Sequence, residues 1–170
     1  PTVFIRLTGC PLRCGYCDTR YAFKGGEWMS RAEVLARVSE YAPRHVMVTG
    51  GEPLAQRECL PLLRALCDNG YRVSLETSGA VDISGIDSRV VRVMDLKTPG
   101  SGEMEHNLYS NIEHLTAQDQ VKFVICNEAD YIWAQQQLKK WALSDRCEVL
   151  FSAAQGLLGG TQLADWVLRD

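Results

Sequence analysis

The sequence predicts an α/β fold in which mainly parallel strands form an open or partial barrel. Six short apolar runs alternate with helical patterns or long loops, and this alternation is typical of βα units. The residues suited to chemistry fall directly after predicted strands, where parallel α/β proteins place their active sites. A length of 170 residues is enough for a single domain, residues 1–170, with an ordinary core.

The strands are predicted from runs of β-branched, aromatic and other apolar residues that lead into glycine, serine or another turn residue. They cover Pro1–Thr8, His45–Thr49, Tyr71–Thr77, Arg89–Leu96, Gln120–Ile125 and Cys147–Phe151.

The helices are predicted from apolar residues at helical spacing between start and stop signals. Ser30 and Glu33 have the spacing of a capping box, and Gly70 follows the second helix as a C-terminal stop. The helices cover Ser30–Ala42, Gln56–Asn69, a short segment at Ser110–Leu115, Glu128–Leu143 and Gly160–Leu168.

Composition argues against several classes of function. A hydrophobic fraction of 46% and a charged fraction of 23%, without a long apolar run, predict a soluble cytoplasmic protein that does not enter membranes. A net charge of -3 offers no basic surface for nucleic acid. Seven cysteines, an odd number, do not favour a disulfide framework.

The segment Gly9–Thr19, with the sequence GCPLRCGYCDT, carries Cys10, Cys14 and Cys17 in a CxxxCxxC pattern. Three thiolates from one short loop suit a 4Fe-4S cluster whose fourth iron has no protein ligand. A structural zinc site normally has four ligands, so zinc would need a distant fourth, such as Cys126, Cys147 or a histidine. The remaining cysteines, at 59, 67, 126 and 147, lie in helix or strand patterns and are interpreted as small buried hydrophobic residues.

CxxxCxxC resembles the signature of radical S-adenosylmethionine (SAM) enzymes, in which the methionine moiety of SAM binds the free iron. The run Gly50–Pro53, with the sequence GGEP, directly follows a predicted strand and resembles a second motif of these enzymes. Glycines allow the backbone to approach a ligand closely. A Gly-Gly turn alone would be a weak signal. The resemblance implies a partial (β/α)6-type radical SAM barrel.

Within these enzymes, the order of CDT, VTGGEP, ETSG, an xxK triplet and FSxxxG is similar to the 7-carboxy-7-deazaguanine synthase family. The resemblance implies SAM, a 4Fe-4S cluster and Mg2+, and the contraction of 6-carboxy-5,6,7,8-tetrahydropterin with loss of ammonia on the route to queuosine. The residues implied to hold SAM are Tyr16, Asp18, Gly51, Asp95, Leu96, Lys97, Ser152, Ala153, Ala154 and Gln155. Those implied to face the pterin are Arg6, Thr49 and Glu76, and the implied magnesium ligand is Thr19.

The residue types are consistent with these roles. Arg6 offers a planar fork for the carboxylate of the pterin. Glu76 could hydrogen-bond the pterin or assist a proton transfer as a catalytic residue. Thr19 has one neutral hydroxyl, so magnesium would need substrate and water oxygens as well. The alternative interpretations are a solvated arginine, a solvent-facing strand end and a turn or cap at Asp18 and Thr19.

The resemblance also implies a homodimer and a flavodoxin-like electron donor. Two family segments, a QGEG loop before the first strand and a QLHK-like strand after the last helix, have no counterpart here, so we expect N- and C-terminal segments to be missing. Two rivals share some of these features: a glycyl-radical-activating enzyme acting on a protein partner, and a non-catalytic zinc-binding module.

Overall fold

The six strands form one parallel sheet in the order in which they occur in the chain, as expected from the βα alternation. The structure, a computed structural model, describes all residues from Pro1 to Asp170. Because β1 and β6 do not pair with each other, the sheet is an open, partial barrel. The strands are β1 (Val3–Leu7), β2 (His45–Gly50), β3 (Arg72–Thr77), β4 (Val91–Asp95), β5 (Gln120–Ile125) and β6 (Glu148–Ala153).

Four α-helices connect or follow the strands, and none of them has both the length and the apolar character needed to cross a membrane. Helix α1 begins with the predicted capping box, in which Ser30 accepts from the Glu33 amide and the Glu33 carboxylate accepts from the Ser30 amide. The helices are α1 (Arg31–Ser39), α2 (Cys59–Asp68), α3 (Glu128–Trp141) and α4 (Gly160–Arg169).

Several helix boundaries differ from the predictions, among them the end of helix α1, which lies at Ser39 rather than at Ala42. Helix α2 begins at Cys59 rather than Gln56, because Gln56 is extended and its side chain donates to the Thr8 carbonyl over 2.7 Å. The short helix predicted at Ser110–Leu115 is present as a 3-10 helix, Tyr109–His114. Helix α3 ends before Leu143 because Ala142 takes a left-handed conformation, with φ of 48°.

The last strand lies further along the chain than predicted. It begins at Glu148 and pairs with β5 as far as Ala153, which lies opposite Ile125. Ser152 and Ala153, predicted to lie in a loop, therefore belong to the strand. The adjacent Ala154 amide also donates to the Ile125 carbonyl. The hydrogen-bonded pairing therefore continues beyond Phe151, where the apolar run used for the prediction ends.

The core forms between the sheet and the helices. Val48, Leu75 and Phe123 on the strands and Leu63 on α2 are completely buried there. All four cysteines outside the CxxxCxxC pattern are buried, as predicted. Trp166 and Tyr131 pack with ring centroids 5.6 Å apart, so this tryptophan is a packing residue.

A buried ion pair fixes the β4–β5 edge of the core. Asp119, which is fully buried, accepts from the Arg92 amide over 2.8 Å and from the Arg92 Nε over 3.1 Å. Its second oxygen accepts from the amide and hydroxyl of Thr116. Because each oxygen has two donors, the carboxylate is compensated despite its burial.

We predict that Asp119→Ala lowers the free energy of unfolding by about 3–5 kcal/mol, because the substitution leaves the buried guanidinium of Arg92 without its partner. Denaturant unfolding of the metal-free protein, followed by circular dichroism, measures this change. Asp145→Ala is the matched control, since Asp145 is exposed and accepts no side-chain hydrogen bond. A loss below about 1 kcal/mol for Asp119→Ala would contradict this role for the pair.

Candidate active site

The loops that follow β1 to β4 meet at the carboxyl edge of the sheet and enclose a cavity of about 310 Å³. Cys10, Cys14 and Cys17 line this cavity together with Gly51 from the GGEP run. The opposite wall comes from the ends of β3 and β4 and from Lys122 within β5. The volume lies at the lower end of the range for small-molecule sites. The topology therefore brings together motifs that are far apart in the sequence.

The cysteine loop, Gly9–Thr19, is joined to the end of β2 by backbone contacts. The Gly51 amide donates to the Leu7 carbonyl over 3.0 Å, and the Glu52 amide donates to the Gly9 carbonyl over 2.7 Å. A Cβ atom at Gly51 would lie 2.8 Å from the Cys10 Cβ and closer still to the Gly9 carbonyl oxygen. Glycine is thus required at position 51 because two backbones approach each other here.

Glu52 was not selected from the sequence, yet its side chain organises this edge of the sheet. The carboxylate is fully buried and accepts from the Thr77 hydroxyl, the Ser78 amide and the Leu54 amide at 2.6–3.0 Å. A buried carboxylate with several donors is fully compensated. Glu52 therefore connects the GGEP run to the ETSG segment. The one signal in the sequence that pointed to Glu52 was its place in the GGEP run, directly after a predicted strand.

The floor of the cavity contains a buried ion pair between Asp95 and Lys97, with Nζ and Oδ2 separated by 2.9 Å. Burial opposes the charged form of Lys97, but the Asp95 carboxylate together with the Cys14 and Cys10 sulfurs outweighs burial, and the pKa of Lys97 is raised. Burial, reinforced by Asp95, raises the pKa of Tyr16 far above its usual value. Tyr16 therefore keeps its hydroxyl proton and remains a donor.

Two buried polar atoms in this part of the site have no partner: the Tyr16 hydroxyl and Asp95 Oδ1. Orphaned buried polar atoms are rare in folded proteins and need an explanation. Both residues line the cavity beside the cysteines. One free donor and one free acceptor fit a ligand rich in hydroxyl and amino groups, as SAM is.

The three cysteines fit a cluster better than a single ion. No three or more His, Cys, Asp or Glu side chains in the chain are arranged to hold one metal ion. A 4Fe-4S cluster has separate irons, so its thiolate ligands do not converge on one point. Burial raises the pKa of the Cys10 and Cys14 thiols, so these groups would release protons on binding iron.

The fourth ligand that a zinc site would need is not supplied by the other candidates. Cys126 and Cys147 are buried and do not line the cavity. Burial, together with Asp130, raises the pKa of Cys126 to about 11, which disfavours the thiolate that zinc would bind.

The residues predicted to face the substrate lie in the same cavity. The Thr49 hydroxyl donates to Glu76 Oε2 over 2.8 Å, and both side chains line the wall near Arg6. The Arg6 guanidinium lies 5.7 Å from the centre of the Tyr21 ring, within cation–π range. Asp18 and Thr19 also line the cavity, and the Thr19 hydroxyl lies 3.8 Å from the Cys17 sulfur.

Some predicted residues lie elsewhere. Ser152–Gln155 are not among the residues that line the cavity, although they follow the same edge of the sheet. The Leu96 side chain belongs to the apolar core, which leaves its backbone as the part able to reach a ligand. Lys122 was missed: it lines the cavity from β5, 3.8 Å from Asp95. Its position within a strand gave no signal in the sequence.

Comparison with known proteins agrees with this geometry. A sequence model described as "Radical SAM superfamily" matches residues 4–95, a little over half of the chain. A 7-carboxy-7-deazaguanine synthase from Koribacter versatilis (strain Ellin345) is 40% identical, over 100% of this chain and 82% of that protein. The synthase of the same name from Chlorobaculum tepidum is also 40% identical, over 100% of this chain and 79% of that protein.

Structural comparison gives the same result. The crystal structure of QueE from Escherichia coli matches with a TM-score of 0.76 and 25% identity, over 99% of this chain and 82% of that one. The similarities extend across the whole sheet rather than the cysteine loop alone. They favour the resemblance to 7-carboxy-7-deazaguanine synthases over a glycyl-radical-activating enzyme or a zinc-binding module.

We predict that Gly51→Ala reduces the iron bound per chain after anaerobic reconstitution to less than about half of the wild-type value. The added Cβ collides with the backbone of Gly9 and the side chain of Cys10, and so displaces the cysteine loop. Iron and sulfide analysis measures the cluster content. The intensity of the thiolate-to-iron charge-transfer absorption provides a second measure.

Gly160→Ala serves as the control, because a Cβ at Gly160 meets no atom within 4 Å. It should bind as much iron as the wild type. Normal iron content in Gly51→Ala would show that the close approach of the two backbones does not position the cysteines.

Proposed function

The chain belongs to the 7-carboxy-7-deazaguanine synthase family of the radical SAM superfamily, and from this premise we propose the reaction that it catalyses. The substrate is 6-carboxy-5,6,7,8-tetrahydropterin, the ring of which contracts to 7-carboxy-7-deazaguanine with release of ammonia. This lyase reaction would serve the synthesis of queuosine and other 7-deazapurines, and so the modification of tRNA.

One observation carries the proposal: the cavity beside the three cysteines is also lined by Arg6, Thr49 and Glu76. A substrate held by these side chains would lie next to the site where the family binds its cluster and SAM. Proximity of the reacting groups is what radical chemistry needs from a protein, since the cofactor supplies the reactivity.

The cluster and SAM, when bound, supply an electron and a carbon radical that abstracts a hydrogen atom. The residues of this chain bind and orient the components. The Gly51 amide is bonded to Leu7, so its carbonyl is the backbone group that would meet SAM, and the Tyr16 hydroxyl and Asp95 Oδ1 offer a free donor and a free acceptor. Lys97 holds Asp95 in place through their ion pair. Asp18, which lines the same cavity, would add a contact to SAM, and Ser152–Gln155 would do so from outside the cavity, at the same edge of the sheet.

Arg6 would bind the substrate carboxylate through its guanidinium fork. Tyr21 keeps the guanidinium over its ring and limits the orientations available to it. The Glu76 carboxylate, oriented by the Thr49 hydroxyl, would accept hydrogen bonds from the guanidine-like edge of the pterin. The same carboxylate would take or return a proton as the ring rearranges.

Magnesium would be held by Thr19 together with oxygen atoms of the substrate and water, because one neutral hydroxyl is an incomplete ligand set. Metal and substrate would then bind cooperatively, and the ion would stabilise negative charge as ammonia leaves. A flavodoxin-like protein as the electron donor and a homodimeric assembly complete the proposal.

We predict that the reconstituted protein converts the pterin to the deazaguanine product under anaerobic conditions, and that the product forms only with SAM and reductant present. Leaving out magnesium should lower the rate. Chromatography with mass detection identifies the product. If the protein carries its cluster and cleaves SAM but forms no product, the substrate assignment is wrong.

We predict that Arg6→Lys raises the KM for the pterin about tenfold with little change in kcat, because a lysine cannot make the two-point contact to a carboxylate. Steady-state kinetics at saturating SAM measure both constants. Arg44→Lys is the matched control, since Arg44 lies over Tyr71 at 5.6 Å but does not line the cavity. An unchanged KM in Arg6→Lys would remove Arg6 from the substrate site.

A further inference from the structure

The middle of the cysteine loop, around Cys14, is held by a part of the chain that has no assigned role. We propose that the segment Thr98–Glu103, here called the support loop, positions Cys14 and its neighbours, and that Glu103 and Asp130 are positioning residues. The inference rests on the family's cluster site at the three cysteines but not on the pterin as substrate.

Two hydrogen bonds connect the middle of the cysteine loop to the support loop. The Gly15 amide donates to the Ser101 carbonyl over 2.9 Å, and the Arg13 amide donates to Glu103 Oε1 over 2.8 Å. These two amides lie on either side of Cys14. The backbone on both sides of this ligand is therefore fixed by one short segment.

The support loop does not bind a ligand through its backbone, although its sequence TPGSGE is rich in glycine. The Ser101 amide donates to the Thr98 carbonyl, and the Gly102 amide donates to the Pro99 carbonyl. The Glu103 amide donates to the Ser101 hydroxyl oxygen over 3.0 Å. Because these N–H groups are already satisfied, the loop offers no cradle for phosphate. Its glycines allow the compact conformation: Gly100 packs against Asp130, and Gly102 has a positive φ of 76°.

The Glu103 side chain is held in the orientation that lets it reach the Arg13 amide. While Oε1 accepts from the Arg13 amide, Oε2 lies 2.9 Å from the His106 Nδ1. The Glu103 side chain is only 12% exposed, whereas that of His106 is 61% exposed. His106 thus holds Glu103 from the solvent side, and the inner oxygen remains directed at the cysteine loop.

Asp130, in the first turn of α3, holds the support loop in place. Its buried carboxylate accepts from the Gly100 amide over 2.7 Å and from the Cys126 amide over 3.0 Å. Gly100 packs so closely that a Cβ there would collide with Asp130 and lie 3.0 Å from the Cys126 Cβ. The Thr98 hydroxyl also donates to the Val124 carbonyl of β5 over 2.9 Å.

These contacts form a continuous connection from the start of α3 to Cys14. Asp130 fixes Gly100, the next residue accepts from Gly15, and Glu103 fixes Arg13. A ligand held in this way binds its iron with little freedom to shift. The cluster environment, rather than protein stability alone, should respond when the connection is cut.

Three variants at Glu103 and one control outside the support loop test the proposal. Glu103→Gln keeps an oxygen at the same reach, Glu103→Asp keeps the charge but is one methylene shorter, and Glu103→Ala removes both. Glu105→Ala is the control, because Glu105 lies two residues beyond the support loop, is exposed, and makes no side-chain hydrogen bond. If the hydrogen bond to the Arg13 amide is what positions the loop, the length of the side chain decides the result. Glu103→Gln then behaves like the wild type in both measurements, and Glu103→Asp behaves like Glu103→Ala.

Two measurements that do not require turnover decide the outcome. In the metal-free protein, hydrogen exchange of the amides at Arg13 and Gly15 should be about tenfold faster in Glu103→Ala, with the circular dichroism unchanged. In the reconstituted protein, iron should pass to a chelator about tenfold faster, and the electron paramagnetic resonance spectrum of the reduced cluster should broaden.

Wild-type exchange and spectra in Glu103→Ala would overturn the proposal. So would a defect in Glu103→Gln with normal behaviour in Glu103→Asp, since charge near Cys14 would then be the cause. If Glu103→Ala does not fold, the comparison of Glu103→Gln with Glu103→Asp still decides between reach and charge. A protein that passes these tests but forms no deazaguanine refutes the proposed substrate and leaves the support loop role intact.

Discussion

The buried carboxylate of Glu52 is the constraint on which the rest of the site depends. Its backbone amide binds the Gly9 carbonyl, and its side chain binds Thr77 and Ser78 at the end of β3. One residue thereby joins the segments that follow β1, β2 and β3. Water cannot replace these partners, because Glu52 is inaccessible to solvent. The relative position of the first three strand ends is therefore fixed before any ligand binds.

The cysteine loop is supported on two sides by different kinds of contact. On the β2 side, backbone approaches at Gly50 and Gly51 leave no room for side chains. On the β4 side, hydrogen bonds from the support loop hold Arg13 and Gly15. Within the loop itself there are few hydrogen bonds: the Cys17 amide donates to the Cys14 carbonyl, and the Arg13 guanidinium donates to the Cys10 and Leu12 carbonyls, so contacts from outside the loop supply much of its order. The fold supplies the order that three ligands of one cluster need.

The cavity combines paired charges with unpaired polar atoms. Asp95 is bonded to Lys97 on one oxygen and free on the other, and Lys122 lies just beyond hydrogen-bond distance. Across the cavity, Thr49 orients Glu76 in a similar way. Each carboxylate thus has one oxygen fixed by the protein and keeps further acceptor capacity for a ligand. Such partial pairing holds charged groups in place at a moderate cost in desolvation.

Sequence alone determined the alternation of strands and helices, the capping box at Ser30 and the three cysteines, because each depends on residues near one another in the chain. Glu52, Lys122, Glu103 and Asp130 could not be found in that way. Their importance comes from partners 25 to 90 positions away, and no local pattern records such contacts. Only the parallel order of the six strands, which brings all carboxyl ends to one edge, decided which side chains share the cavity. Local spacing specifies elements and ligand sets, whereas a site is specified by which distant segments the folded chain places within bonding distance.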